Sequence, residues 1–569
     1  MCWTLVSGAA SSARGQVAAG PPKVTTFFPL AEVKRGQMGI AYTVFEGVLP
    51  EPMQVEILGV LKNALGPERD LILARLKGTK PEYTGVVAGM SGSPVYIDGK
   101  LVGALSYRIG QFSKEPIAGI TPIEQMLDVK DGQAGSIKAR VDGQPEMQAM
   151  ETPLMFSGFS QETLDRFGDR FRAMGLTPVA GLGGADAEAK QPEPLEPGSA
   201  VSAILVRGDL SMAGTCTVTY VDSARLLACG HPITQNGPVS MPMTKATVVA
   251  TLPSPLNAFK IVNTTETVGS FTEDRASAIL GQFGVLARMI PVVVDVVGAA
   301  KSRTYHFEVL DDKELTPSTM LVSVYQAVQG TNAAGAEQSY ALSGELDVAG
   351  EPAIRLHGVM APNGGNTGAI NAALYVGERF EKVYENAVEQ PVVTGLRLRM
   401  EVQPERRTAV IESARVSRVE VHAGDTVEVE VTVHPYQAEA RVVRIPVTLP
   451  ATLMAGDVRL VVSDGAMVDR LTSPSGAVAL HAVGLADTVA MMNRARANDG
   501  VFVTLLEHTP QAVLGGGTLP EVPLSMANVL EPLKGNQEMQ LTGESAIGIG
   551  SVETDYAVSG SQVIRLSVR

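Results

Sequence analysis

Short apolar runs broken by Gly and Pro dominate the first 130 or so residues. Examples are Val55-Glu56-Ile57-Leu58-Gly59-Val60 and Asp70-Leu71-Ile72-Leu73-Ala74-Arg75-Leu76, and runs of that length and punctuation predict strands. The pattern changes over residues 160–174. There Leu164, Phe167, Phe171 and Met174 recur at helical spacing behind Ser160, a good cap, and Gly175 stands where a helix should end. This predicts one amphipathic helix whose aromatic stripe is a packing face. Strands resume near residue 199, and Thr215-Cys216-Thr217-Val218-Thr219-Tyr220-Val221 alternates before an Asp222-Ser223 turn and the run Leu226-Leu227-Ala228, which together read as a hairpin. Further on, Val427-Glu428-Val429-Glu430-Val431-Thr432-Val433 keeps a strict period of two. With the runs at 442–449 and 458–462 it predicts a small antiparallel sandwich. A helix over about 485–497 and a strand near 563–566 close the pattern, and no repeat of fixed period is found.

Composition agrees with a β-rich, multidomain chain. The 569 residues suffice for three or four domains, and 58 Gly and 35 Pro supply many turns between short elements. A net charge of −14, with no basic cluster, argues against nucleic acid or anionic membrane as partner. No apolar stretch reaches about 18 residues, so no stable membrane span is expected. The opening run Cys2-Trp3-Thr4-Leu5-Val6, passing into small residues, has the composition of the trailing end of an export signal or of a disordered start. Cys2, Cys216 and Cys229 show no metal-ligand spacing, and neither metal nor cofactor is expected. Unpaired buried thiols are expected, with a Cys216–Cys229 bridge as the alternative. The stretch 181–198, rich in Ala, Glu, Pro and Gly, reads as a linker.

The chemistry-bearing segment is Gly89-Met90-Ser91-Gly92-Ser93-Pro94. A serine attacks a carbonyl when its hydroxyl is projected, a base lies beside it and donors await the oxyanion. Gly89 and Gly92 permit a tight turn that projects Ser91 and aims the amides of Gly89 and Ser91 into one hole. No histidine precedes His231, which follows the run Leu226-Leu227-Ala228-Cys229-Gly230 where a buried strand emerges into a turn, the placing a general base needs.

Residues 85–127 resemble the catalytic part of the SpoIVB-type serine peptidases. The resemblance runs through Gly89-Met90-Ser91-Gly92-Ser93-Pro94, Asp98-Gly99-Lys100-Leu101-Val102-Gly103-Ala104 and Ile123-Glu124-Gln125-Met126-Leu127. A second resemblance, through Ala213-Gly214-Thr215, Thr217-Val218-Thr219-Tyr220 and Gly230-His231, is to the strand pair carrying that family's histidine. It implies a chymotrypsin-like fold of two β-barrels with Ser91 as nucleophile and His231 as base, but with the serine and histidine halves in reversed order. Such an exchange keeps the geometry if a linker spans the gap, and a domain-swapped dimer would serve as well. For the orienting carboxylate, Asp274 is favoured over Asp70.

The expected fold class is therefore mostly β, a permuted chymotrypsin-like double barrel followed by a sandwich and a small α+β region. The expected divisions are a signal remnant at 1–22, a serine-bearing half at 23–150, a helix and linker at 151–198, and a histidine-bearing half at 199–310. A β-rich region at 311–405, an Ig-like sandwich at 406–480 and an α+β region at 481–569 follow. The expected function is an exported serine endopeptidase acting on protein or peptide substrates. The alternative is a non-catalytic envelope binding or scaffold protein that keeps the fold.

Overall fold

The computed structural model describes residues 20–22, 26–109, 115–131, 147–150, 152–181, 184, 189–234, 237–254, 258–298, 301–331, 335, 337–386, 388–472, 484–514, 517–535 and 539–569. The export-signal reading of residues 1–13 and part of the 181–198 linker lie outside them. The chain divides into two units. Unit 1 comprises Met1–Ser157, Phe171–Ile204 and Met212–Ala287, and unit 2 comprises Gly158–Arg170, Leu205–Ser211 and Arg288–Arg569.

Unit 1 opens with six strands: β1 (Met38–Thr43), β2 (Glu51–Leu61), β3 (Leu71–Lys77), β4 (Pro94–Ile97), β5 (Lys100–Ile109) and β6 (Ile117–Pro122). Neighbours run β1-β2-β3-β6-β5-β4, and β4 pairs back onto β1, which closes a barrel. Its interior is filled by Val55, Ile57, Ile72, Ala74, Leu76, Val95, Leu105 and Ile120, the inward set of the alternating runs. A short strand β7 (Met147–Ala149) pairs with β5. Two parallel strands, β8 (Thr152–Ser157) and β9 (Leu176–Ala180), flank the helix α1 (Gln161–Ala173) in sequence. That helix matches the predicted one: the amide of Thr163 donates to Ser160 Oγ, and Gly175 follows at φ +85°.

Six more strands follow: β10 (Ala200–Gly208), β11 (Ser211–Val221), β12 (Arg225–Ala228), β13 (Gly237–Leu252), β14 (Phe259–Arg275) and β15 (Ala278–Phe283). Their neighbours run β10-β11-β12-β15-β14-β13, with β13 paired to β10. Counted within each set, this is the order of the first barrel again: first, second, third, sixth, fifth, fourth, and back to first. The fold is thus mostly β with a chymotrypsin-like arrangement. The predicted hairpin is present as β11 and β12.

Unit 2 holds a five-stranded sheet in the order Ile354–Met360, Ser339–Val348, Val393–Gln403, Met289–Val297, Ser302–Leu310, with helices Thr316–Thr331 and Gly368–Tyr384. The C-terminal end of β10 pairs with Ser302–Leu310, Val206 opposite Val309. The Phe167 ring of α1 packs edge-on against Tyr325, centroids 4.9 Å apart. The predicted sandwich is present, with Val429, Val431, Ile445, Leu460 and Val503 in its core. It does not end at residue 480: Gly500–Glu507, Ser545–Glu553 and Ser561–Val568 complete one of its two sheets. The first half of the sandwich cannot bury its apolar face alone, which is why these strands are recruited. Among the described residues no helix is long and apolar enough to cross a membrane.

Candidate functional site

Ser91 lies between the third and fourth strands of the first barrel, and His231 lies between the third and fourth strands of the second set. The same connection of the same topology therefore supplies both residues. The turn around Ser91 needs its glycines. Gly89 and Gly92 take φ of +95° and +94°, and a Cβ on Gly92 would sit 1.9 Å from the Thr217 carbonyl oxygen and 2.6 Å from the Cys229 nitrogen. No other residue type lets the serine turn lie this close to the β11–β12 hairpin.

Three bonds from β11 hold the turn. The Thr217 amide donates to the Ser91 carbonyl at 2.7 Å, Thr217 Oγ1 to the Gly89 carbonyl at 2.9 Å, and Thr219 Oγ1 to the Gly92 carbonyl at 2.7 Å. In return, Thr121 Oγ1 on β6 donates to the Gly230 carbonyl, next to His231, at 2.7 Å. Each barrel thus grips the other's functional loop, and both loops belong to one chain, so no swapped partner is required to bring them together. The part played by Thr121, Thr217 and Thr219 was not legible in the sequence. The alternation of Thr217 and Thr219 in β11 was visible as strand periodicity, but the face they would present was not.

The polar inventory of the site is uneven. Within the turn, the amides of Ala88, Met90, Gly92 and Ser93 donate to carbonyls of Ala258, Val87, Leu105 and Met90, whereas those of Gly89 and Ser91 donate to nothing among the described residues. Ser93 Oγ is tied to the Met90 carbonyl at 2.6 Å. Ser91 Oγ and His231 Nε2 are both buried, at 0 % and 1 % residue exposure, and have no hydrogen-bond partner among the described residues, so the two side chains are not hydrogen-bonded to each other. Buried polar atoms are paired in the great majority of cases, and a catalytic role is one of the reasons a buried polar atom stays unpaired.

His231 Nδ1 lies 2.7 Å from the Pro232 carbonyl oxygen, the ring's one hydrogen-bond partner among the described residues. An acceptor there makes Nδ1 the protonated nitrogen and leaves the lone pair on Nε2. Burial lowers the imidazole pKa to about 4, against a smaller upward pull from the Pro232 bond. Asp274 is fully buried near the end of β14. It accepts from the amides of Ile233 (2.9 Å) and Thr234 (2.6 Å) and from Thr234 Oγ1 (2.8 Å), and so pins the loop that carries His231. Asp70 is further removed in role. It accepts from Lys62 Nζ at 2.5 Å and the Asn63 amide at 2.9 Å in the β2–β3 connection, and Lys62 chiefly holds its carboxyl below the ordinary value.

Cys216 and Cys229 form a disulfide, correcting the expectation of free thiols. Cys216 lies on β11 and Cys229 just past the end of β12, with Cα atoms 5.2 Å apart, inside the range a bridge spans. The pairing depends on strand register, which spacing alone does not give.

Residues 16–127 match the SpoIVB peptidase S55 family. The matched segment contains Ser91 and the whole first barrel, and it ends before His231. The resemblance to SpoIVB-type serine peptidases is thereby shown for this part of the chain, and a peptidase of this type implies protein substrates. SpoIVB-type peptidases are secreted or exported proteins. No curated protein and no solved structure matches the chain.

Proposed function

We propose that unit 1 is a serine endopeptidase in which Ser91 is the nucleophile and His231 the general base. One observation carries the reading: two loops gripped by each other's barrels present a buried hydroxyl and a buried imidazole nitrogen, both without hydrogen-bond partners among the described residues, beside two amides likewise without acceptors. Ser91 Oγ attacks the peptide carbonyl while Nε2 of His231 takes its proton, and Nδ1–H stays on the Pro232 carbonyl as the imidazolium forms. The amides of Gly89 and Ser91 receive the oxyanion. The proton then passes to the departing amine, and water repeats the sequence to release the acyl group. Asp274 serves by holding the histidine loop. The burial of the pair means that substrate must part the site before Oγ and Nε2 can meet, and this same burial favours the second reading, a non-catalytic envelope scaffold that keeps the fold.

A fluorophosphonate probe separates the two. In an active site Ser91 Oγ bonds to phosphorus, fluoride leaves and His231 accepts the proton. The folded full chain should label at Ser91. Ser91→Ala and His231→Ala should abolish labelling, and Ser93→Ala should retain most of it, because Ser93 Oγ is engaged in the turn. A folded wild-type chain that stays unlabelled from pH 4 to 9 leaves the scaffold reading.

A further inference from the structure

Lys260 is the only buried lysine or arginine among the described residues, and its side chain is fully enclosed. It stands on β14, where its amide donates to the Ala88 carbonyl at 3.2 Å. Its stem lies over the serine turn: a Cβ on Gly89 would meet Lys260 Cδ at 3.3 Å and Cβ and Cγ at 3.5 Å. The amine reaches β1 of the other barrel and donates to Thr43 Oγ1 at 2.8 Å. Among the described residues no carboxylate accompanies it. A methionine would fill the same space without the several kcal/mol that burying an ammonium costs, so packing does not explain an amine here.

We infer that Lys260 is a positioning residue for the oxyanion hole: its stem fixes the Gly89 peptide, and the charge on its amine favours the negative charge that develops beside Gly89 and Ser91 in the reaction. This rests on the peptidase reading of the same site. The groups facing the amine leave that charge unopposed. The serine turn from Val87 to Ser91 has no titratable side chain. On β1 the amine meets Thr43, with Tyr42 next to it held protonated by burial, and on β13 the register partner is Thr251. The charged pair Lys245 and Glu266 lies farther along β13 and β14 and is satisfied internally at 3.0 Å. Burial is the one influence on the amine, and it lowers the pKa to about 7.

The test is the rate of fluorophosphonate labelling of the full chain as a function of pH. In the wild type it should rise as His231 loses its proton near pH 4 and fall as Lys260 loses its own near pH 7, giving a bell. Lys260→Met should slow labelling at pH 6 on the order of tenfold and remove the alkaline fall. Lys260→Arg, which keeps its charge, should retain the rate and carry it past pH 8. If Lys260→Met labels at the wild-type rate with the alkaline limb intact, Lys260 is only packing and the inference is lost. Should Lys260→Met fail to fold, Thr43→Val decides instead: loss of the amine's acceptor should move the alkaline limb to lower pH, and an unmoved limb overturns the inference. A wild type that labels at no pH is the separate failure of the peptidase reading itself.

Discussion

Asp274 takes three hydrogen bonds from two successive residues of the His231 loop, and their donors are buried or nearly so. Removing the carboxylate strands the Ile233 and Thr234 amides, a loss of roughly 2–4 kcal/mol. Asp274→Ala should therefore lower the melting temperature clearly. Asp274→Asn keeps one acceptor oxygen and should cost less, and it should also keep most of the labelling rate, since the ring tautomer is set by the Pro232 carbonyl. A loss of orders of magnitude in Asp274→Asn, with the fold intact, would show instead that the carboxylate acts on the imidazole during reaction. The sequence pointed to this residue for its place after His231 but could not reveal which atoms it would serve. Lys260 was less visible still. In Phe259-Lys260-Ile261-Val262 it reads as the wet position of a strand, and its partner Thr43 is 217 residues away.

Where periodicity and caps agreed, the elements were legible. The Ser160 cap, the apolar stripe and Gly175 bound α1, and the period-two run at 427–433 lies within the strand Thr426–Pro435. Pairing across elements was not legible, and the disulfide shows why: Cys216 and Cys229 face each other through the register of β11 and β12, in which Val218 opposes Ala228. The bridge closes a short loop around the hairpin that grips the serine turn, worth about 3 kcal/mol on a chain-entropy argument. In denaturant without reductant, thiol titration should find one reactive cysteine of the three in the sequence. The Cys216→Ser, Cys229→Ser double variant should melt several degrees lower yet still label at room temperature, because the backbone ladder and the Thr217 and Thr219 bonds remain. Three titratable thiols would mean that the bridge does not form.

Across the whole chain, the repeated strand order means that each six-stranded set presents its Ser91 or His231 loop from the same connection, so under the proposed function the order of the two sets would not matter to the site. The division into units is less simple than the sequence divisions. Residues 158–170 belong with unit 2, where Ser160 N and Thr163 Oγ1 donate to Gln326 Oε1 at 2.9 and 2.6 Å, and Phe167 packs on Tyr325. A chain cut at residue 310 keeps both barrels but removes Tyr325 and Gln326. Such a fragment should expose the α1 stripe, bind a hydrophobic dye and melt below the full chain; equal melting temperatures would show that those contacts contribute nothing.

Synthesis runs in one direction, and domains fold as they emerge from the ribosome. All of unit 1, including both loops of the site, has been made by residue 287, while the two stretches assigned to unit 2 from within that span still await the residues that follow. Under the proposed function, a nascent chain would thus carry a nucleophile and its base beside unfolded polypeptide of its own, the most easily cut substrate within reach. Burial of Ser91 and His231 would then act as protection during manufacture, keeping the growing protein from digesting itself before it is finished.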